Sequence, residues 1–228
     1  MASYKEIILE KAETEKIIDF RQEFLEKNAT KFIVPNCSEE LYNKIANSNP
    51  HIKLNLIRGK LEIIPVLAHT DEREAEIVGQ VRNWRVVNRH LVGHYGGPSG
   101  AYKVPDGAGG TNILGPDASI VPPKANIPNM PPLQPGEPDF PQVAPNFVIE
   151  LRSDSDSASD VHEKMLNWMI GGVDKGISID PFTNIIKVYT RDLTTNTITC
   201  HEHHSCTRAT RIASQVLPGF VLSLYDIF

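Results

Sequence analysis

Apolar and polar positions change period several times along this chain, and each change predicts a different element. Over residues 1–30, Ile7, Ile8, Ile17, Ile18, Phe20 and Phe24 recur at helical intervals among many charges. That spacing predicts one or two amphipathic helices outside the main core. Ser38 can cap a short helix from Glu39 to Ala46, which stops near Asn47-Ser48-Asn49-Pro50. The period then drops to two: Ile52-Lys53-Leu54-Asn55-Leu56 alternates, Arg58-Gly59-Lys60 turns, and Leu61-Glu62-Ile63-Ile64 continues. This is the pattern of a β-hairpin. From Thr70 to about His90 the helical period returns, with Ile77, Val81, Trp84 and Leu91 on one face. Asp71, Glu72 and Glu74 open that helix while Arg82, Arg85 and Arg89 close it, as the helix dipole favours.

Residues 92–115 hold glycine-rich turns and two expected short strands leading to Asp117. Ala118-Ser119-Ile120-Val121 and Phe147-Val148-Ile149 are continuous apolar runs, as strands buried on both faces require. Between them fall nine of the seventeen prolines, from Pro122 to Pro145, so that stretch reads as an irregular excursion. The polar loop Ser153-Asp154-Ser155-Asp156-Ser157 precedes a helix capped by Ser159 or Asp160 and ended at Gly171-Gly172. Strands are expected at Gly176 to Ile179, Ile185 to Thr190 and Thr197 to His201. This order predicts an α/β class with a mixed sheet flanked by helices.

At 228 residues and 40% hydrophobic content, the chain can bury one substantial core. The expected division is an N-terminal helical extension over residues 1–30 and one domain over 31–228. A formal net charge of -5 argues against a general DNA-coating protein, though not against an enzyme that acts on nucleic acid through a local basic patch. No stretch approaches the ~20 apolar residues of a membrane span. The N-terminus lacks a basic region followed by an apolar run. Cys37, Cys200 and Cys206 form neither a CxxC pair nor an even set, so a reduced intracellular compartment, cytoplasmic or nuclear, is expected.

Candidate chemistry concentrates where two carboxylates touch the two apolar runs: Asp117 just before one and Glu150 just after the other. A buried carboxylate is costly unless it is paired or holds a metal. Arg152 and Lys164 are the cations close by in sequence. The histidine-rich run Cys200-His201-Glu202-His203-His204-Ser205-Cys206 looks like a zinc tract, but neighbours in a strand point to opposite faces and cannot converge on one ion. It reads as a solvated strand end.

The segments Leu56-Ile57-Arg58-Gly59-Lys60-Leu61-Glu62, Gly115-Pro116-Asp117-Ala118-Ser119-Ile120-Val121 and Phe147-Val148-Ile149-Glu150-Leu151-Arg152-Ser153 occur in that order. Glu163-Lys164-Met165 through Gly172-Val173, Ile179-Asp180-Pro181 and Leu217-Pro218-Gly219-Phe220 follow. As an ordered set spanning roughly residues 33–228, they resemble the Uma-type family of assumed restriction endonucleases, within the PD-(D/E)XK nuclease superfamily. The resemblance implies a restriction-endonuclease-like core, a site for Mg²⁺ or Mn²⁺, and nucleic acid, DNA foremost, as substrate. It implies Asp117, Glu150 and the Leu151 carbonyl as metal ligands. Arg152 stands where the motif has lysine, and Lys164 is the other candidate for the cation. Glu62 is a candidate further acid, while His69, just before the long helix, reads more readily as a neighbour of that helix's N-terminal cap than of the site. Ser155-Asp156 also replaces a more usual Pro-Ser turn. No membrane partner is expected, and a homodimer is allowed but not required. Two rival readings stand beside it: a catalytically inactive nuclease-fold protein that binds nucleic acid or protein, and a hydrolase of another class using Asp117 and Glu150 as an acid/base pair.

Overall fold

The structure, a computed structural model, describes residues 5–14, 16, 19–49, 52–65, 68–123 and 143–228. The chain opens with strand β1 (Glu6–Ile8), short helices α1 (Lys11–Thr14) and α2 (Phe20–Lys27), strand β2 (Lys31–Val34) and helix α3 (Glu39–Ser48). The hairpin follows as β3 (Ile52–Ile57) and β4 (Lys60–Pro65), then helix α4 (Ala68–Val87) and a 3₁₀ turn (Arg89–Leu91). Next come β5 (His94–Gly96), β6 (Tyr102–Pro105), β7 (Thr111–Leu114), β8 (Ala118–Val121), β9 (Phe147–Leu151) and helix α5 (Ala158–Ile170). Strands β10 (Lys175–Asp180), β11 (Ile185–Arg191), β12 (Ile198–His203), β13 (Arg211–Ala213) and β14 (Val221–Ser223) complete it. Among the described residues no helix is long and apolar enough to cross a membrane.

Two six-stranded sheets carry the architecture. One has the order β1-β2-β4-β3-β7-β6 and the other β12-β11-β10-β9-β8-β5, with β13 and β14 paired separately. The hairpin of the first sheet turns at Arg58 (φ 49°) and Gly59 (φ 76°). Two successive positive φ values give the tight reversal whose twist suits the flanking strands. In the second sheet β9 and β10 run parallel, while the other pairs are antiparallel. Parallel neighbours need a crossover, and α5 supplies it.

The continuous apolar runs at β8 and β9 are explained by burial from both sides. Ile120, Phe147 and Ile149 pack with Ile77, Val81 and Trp84 of α4, while Val121 and Val148 pack with Met165, Trp168 and Met169 of α5. Glu150 shares the face of Val148, since alternate strand residues point together. Its carboxylate is therefore delivered to the α5 side.

The structure differs from the periodicity in several places. Besides two short helices, the N-terminal segment contributes β1, which pairs in parallel with β2. Phe20 and Phe24 are not outside the core: they pack on Phe32 among Leu54, Leu56, Leu61 and Ile63. Helical spacing identified the apolar face but not what covers it. Three strands, not two, occupy residues 92–115. The cap of α5 is Ser157, which accepts from the Asp160 N–H while Asp160 accepts from the Ser157 N–H, a reciprocal capping box. Residues 124–142 of the proline-rich excursion lie outside the described residues. The first four residues of the histidine-rich run lie in β12, an exposed edge strand whose Glu202 pairs across the ladder with Lys187 at 2.7 Å, while Cys206 beyond it is buried.

Candidate active site

Asp117 ends the turn that enters β8. Its N–H donates to the Ile149 carbonyl (3.1 Å), and its Oδ2 accepts from the Leu151 N–H (2.6 Å). The side chain is fully buried, and Oδ1 receives the Lys53 ammonium from β3. The main-chain groups of one strand residue point to the same side. With its N–H on Asp117, Leu151 therefore turns its carbonyl toward the same edge of β9.

Glu150 is held by one turn of α5. Trp168 Nε1–H donates to Oε1 (2.6 Å), and Lys164 Nζ donates to Oε2 (2.7 Å). Residues i and i+4 share a helix face, which is why both reach one carboxylate. Lys164 also donates to the Gly115 carbonyl (2.6 Å), so it ties the strand acid to the loop that carries Asp117. Bonds of this charge-assisted kind are about twice as strong as neutral ones.

Two further charges complete the cluster. Lys53 approaches Glu74 of α4 at 3.9 Å as well as meeting Asp117. Burial opposes the Asp117 charge, but Lys53, Lys164 and the Leu151 N–H outweigh it and hold the group below the usual aspartate value. Burial lifts Glu150 above the usual glutamate value; Lys164 opposes the shift and Asp117 adds to it. Glu74 is pushed up to about 8, by burial first and then by Asp117. Three carboxyl groups and two ammonium groups thus sense one another in a space too dry to screen them.

The cluster borders a cavity of about 330 Å³, lined by Lys53, Asn55, Glu62, Glu74, Glu150 and Lys164 among others. One wall is the polar face of the hairpin, where Asn55 stands opposite Glu62 and Lys53 opposite Ile64. Asp117 is fully buried behind this wall.

The structure brings Asp117, Glu150, Leu151 and Lys164 together. It does not bring Arg152 to them. The chain leaves β9 after Leu151, and the Arg152 guanidinium pairs with Asp180 (2.8 Å), bonds the Asp156 carbonyl (3.1 Å) and lies over the Phe182 ring. Glu62 lines the cavity but pairs with Lys60 at 2.9 Å. His69 falls in the first turn of α4, with its side chain outside the described residues.

Sequence reasoning missed Lys53, Glu74 and Trp168 as members of the site. Alternation along β3 puts Lys53 and Asn55 on one face, with Asn55 opposite Glu62, but such a polar face reads as solvent until the second sheet closes over it. Glu74 is masked by its helix, where an acid in the early turns has a ready explanation in the dipole.

Among the described residues, no three His, Cys, Asp or Glu side chains gather as a metal cluster. The donors present still fit a hard cation. Mg²⁺ takes one or two carboxylates and keeps several waters, and two acids with a main-chain carbonyl meet that need. Each Glu150 oxygen retains a lone pair beside its present hydrogen bond.

Comparison with known proteins bears on the fold and the family of the chain. No curated protein matches the chain. Among solved structures it is similar to one described as a "putative nuclease belonging to DUF820" from Anabaena variabilis, at 19% identity and a TM-score of 0.56. That likeness covers 77% of this chain and 89% of the other, and it shows a shared fold. A family model described as "Uma2: Putative restriction endonuclease" matches residues 39–224, a span that holds Asp117, Glu150, Lys164, Lys53 and Glu74 together. The chain therefore belongs to the Uma2 family.

Proposed function

We propose that the protein is a divalent-metal-dependent endonuclease of the PD-(D/E)XK type that hydrolyses nucleic-acid phosphodiester bonds. The observation that carries this reading is the Asp117–Glu150–Lys164 cluster: two buried acids from adjacent strands, with an ammonium bonded to one of them. Asp117, Glu150 and the Leu151 carbonyl would hold Mg²⁺ or Mn²⁺. When bound, such an ion offsets charge on the phosphoryl oxygens and acidifies a coordinated water.

The chain's own residues set the rest. Lys164 takes the place of the motif lysine from the following helix. It neutralises charge that develops beside Glu150 and fixes that carboxylate's orientation, with Trp168 fixing its other oxygen. Arg152, occupied by Asp180, serves the loop after β9. A guanidinium could not act as a base in any case.

The test is incubation of the purified chain with single- and double-stranded DNA and RNA, with Mg²⁺, with Mn²⁺ and with a chelator. Strand breaks that depend on the metal support the reading; no cleavage of any substrate under either metal sinks it. One observation favours a silent, binding-only relative instead: Lys53 and Lys164 already satisfy both acids. In that case nucleic acid would bind without being cut.

A further inference from the structure

Lys53 stands out among the cations of the molecule. Its side chain is about 15% exposed and lines the cavity, while its ammonium contacts the fully buried Asp117 and lies 3.9 Å from Glu74. Lys164, by contrast, bonds Glu150 and a main-chain carbonyl and leaves Asp117 to Lys53. A group in Lys53's position shields Asp117 from anything that enters by the cavity.

We propose that Lys53 is an internal counter-cation that occupies the Asp117 side of the metal site and must swing away before a divalent ion can bind there. This rests on the metal reading given above. Two cations cannot share one buried carboxylate without strong mutual repulsion, because the surroundings screen them poorly. Without metal, removal of the ammonium would leave the fully buried Asp117 without its cation beside Glu74, and a buried, unpaired charge is expensive. Lys53 therefore holds Asp117 and Glu74 together in the absence of metal and at the same time weakens the affinity for the ion. Its flexible four-carbon stem on a strand that borders open space gives the ammonium somewhere to go.

Binding, not activity, tests this directly. Mn²⁺ affinity is measured by calorimetry and by the electron paramagnetic resonance signal of free Mn²⁺. The proteins compared are the native chain, Lys53→Met, Lys53→Gln and, as a control on the same hairpin, Lys60→Met. Both neutral Lys53 variants should bind Mn²⁺ at least about tenfold more tightly, and Lys60→Met should match the native chain. Thermal melts in chelator should show the Lys53 variants less stable than native, with the loss recovered at saturating Mn²⁺. Lys53→Arg keeps the charge and the fold, and it should bind no more tightly than native. Equal or weaker Mn²⁺ binding by both neutral variants, with the native chain binding, overturns the role of Lys53 alone. No Mn²⁺ binding by the native chain and all variants overturns the metal site itself, and this proposal with it.

Discussion

Two lysine–carboxylate clusters flank the same cavity, and they differ in what their charges leave undone. At one end Lys31 of β2 is fully buried and pairs with Asp156 (3.0 Å) and Asp160 (3.1 Å), both partly open to solvent. Burial opposes the charge of Lys31, but Asp156, Glu62 and Asp160 raise its pKa above the usual lysine value. Asp160 is held below the usual aspartate value and also closes the cap of α5. Every charge there has a partner, and the result ties β2 to the helix that carries Lys164. At the other end Asp117 and Glu150 are the most deeply buried members, and the pKa values of the three acids are driven apart: Asp117 down, Glu150 and Glu74 up. A satisfied cluster explains a joint in the fold. A cluster whose acids are pushed in opposite directions is where added positive charge would be welcomed, which is the ground for proposing it as the chemical end.

The comparison can be broken by substitution. The largest effect should come from Lys164→Ala, expected to lower metal-dependent cleavage about 100-fold or more by removing an ammonium placed at the developing charge. Glu150 is then buried without its cation, so stability also falls, and cleavage is compared per folded molecule as judged by circular dichroism. Lys31→Met should do the reverse: a loss of about 3 kcal/mol in denaturant unfolding, from two carboxylates left without their cation, and little change in cleavage per folded molecule. Were Lys31→Met to abolish cleavage in fully folded protein, the division of labour would be wrong.

A smaller effect is tied to pH. Glu74 has a folded-state pKa of about 8, above the ordinary glutamate value, so the folded state holds its proton more tightly than the unfolded state. Its contribution is fully favourable below the unfolded value near 4.5 and is lost as pH rises through about 8. Glu74→Gln should therefore gain on the native chain between those limits, by on the order of 1–3 kcal/mol at the upper end. Melting curves across that range that keep a constant gap between the two proteins would contradict the shift. The smallest effect belongs to Arg152→Ala, an ion pair about one-fifth exposed and worth about 1 kcal/mol or less. It should leave cleavage nearly untouched, and a large loss would return the motif position to the catalytic set.

Much of this was legible in the chain before folding. Asp117 and Glu150 announce themselves because charge beside a doubly buried strand needs a reason, and Lys164 follows from its angular proximity to Trp168 on α5. What could not be read is which distant elements face the cavity. Lys53 meets Asp117 across 64 residues, and Lys31 meets Asp160 across 129. Local periodicity says that a face is polar and is silent on whether water or another sheet lies over it. Arg152 shows the same limit from the other side. Its spacing from Glu150 is right for a shared strand face, but the strand stops one residue earlier and Asp180 at the end of β10 captures it.

The central claim is that Asp117 and Glu150 together form a metal-dependent cleavage site. The most direct measurement is single-turnover cleavage of DNA and RNA substrates in Mn²⁺ by the native chain, Asp117→Asn and Glu150→Gln, with each variant's fold checked by circular dichroism. The account predicts metal-dependent cleavage by the native chain and a loss of about 100-fold or more in each folded variant. Cleavage undiminished in both variants, or native cleavage that persists in chelator, would contradict it.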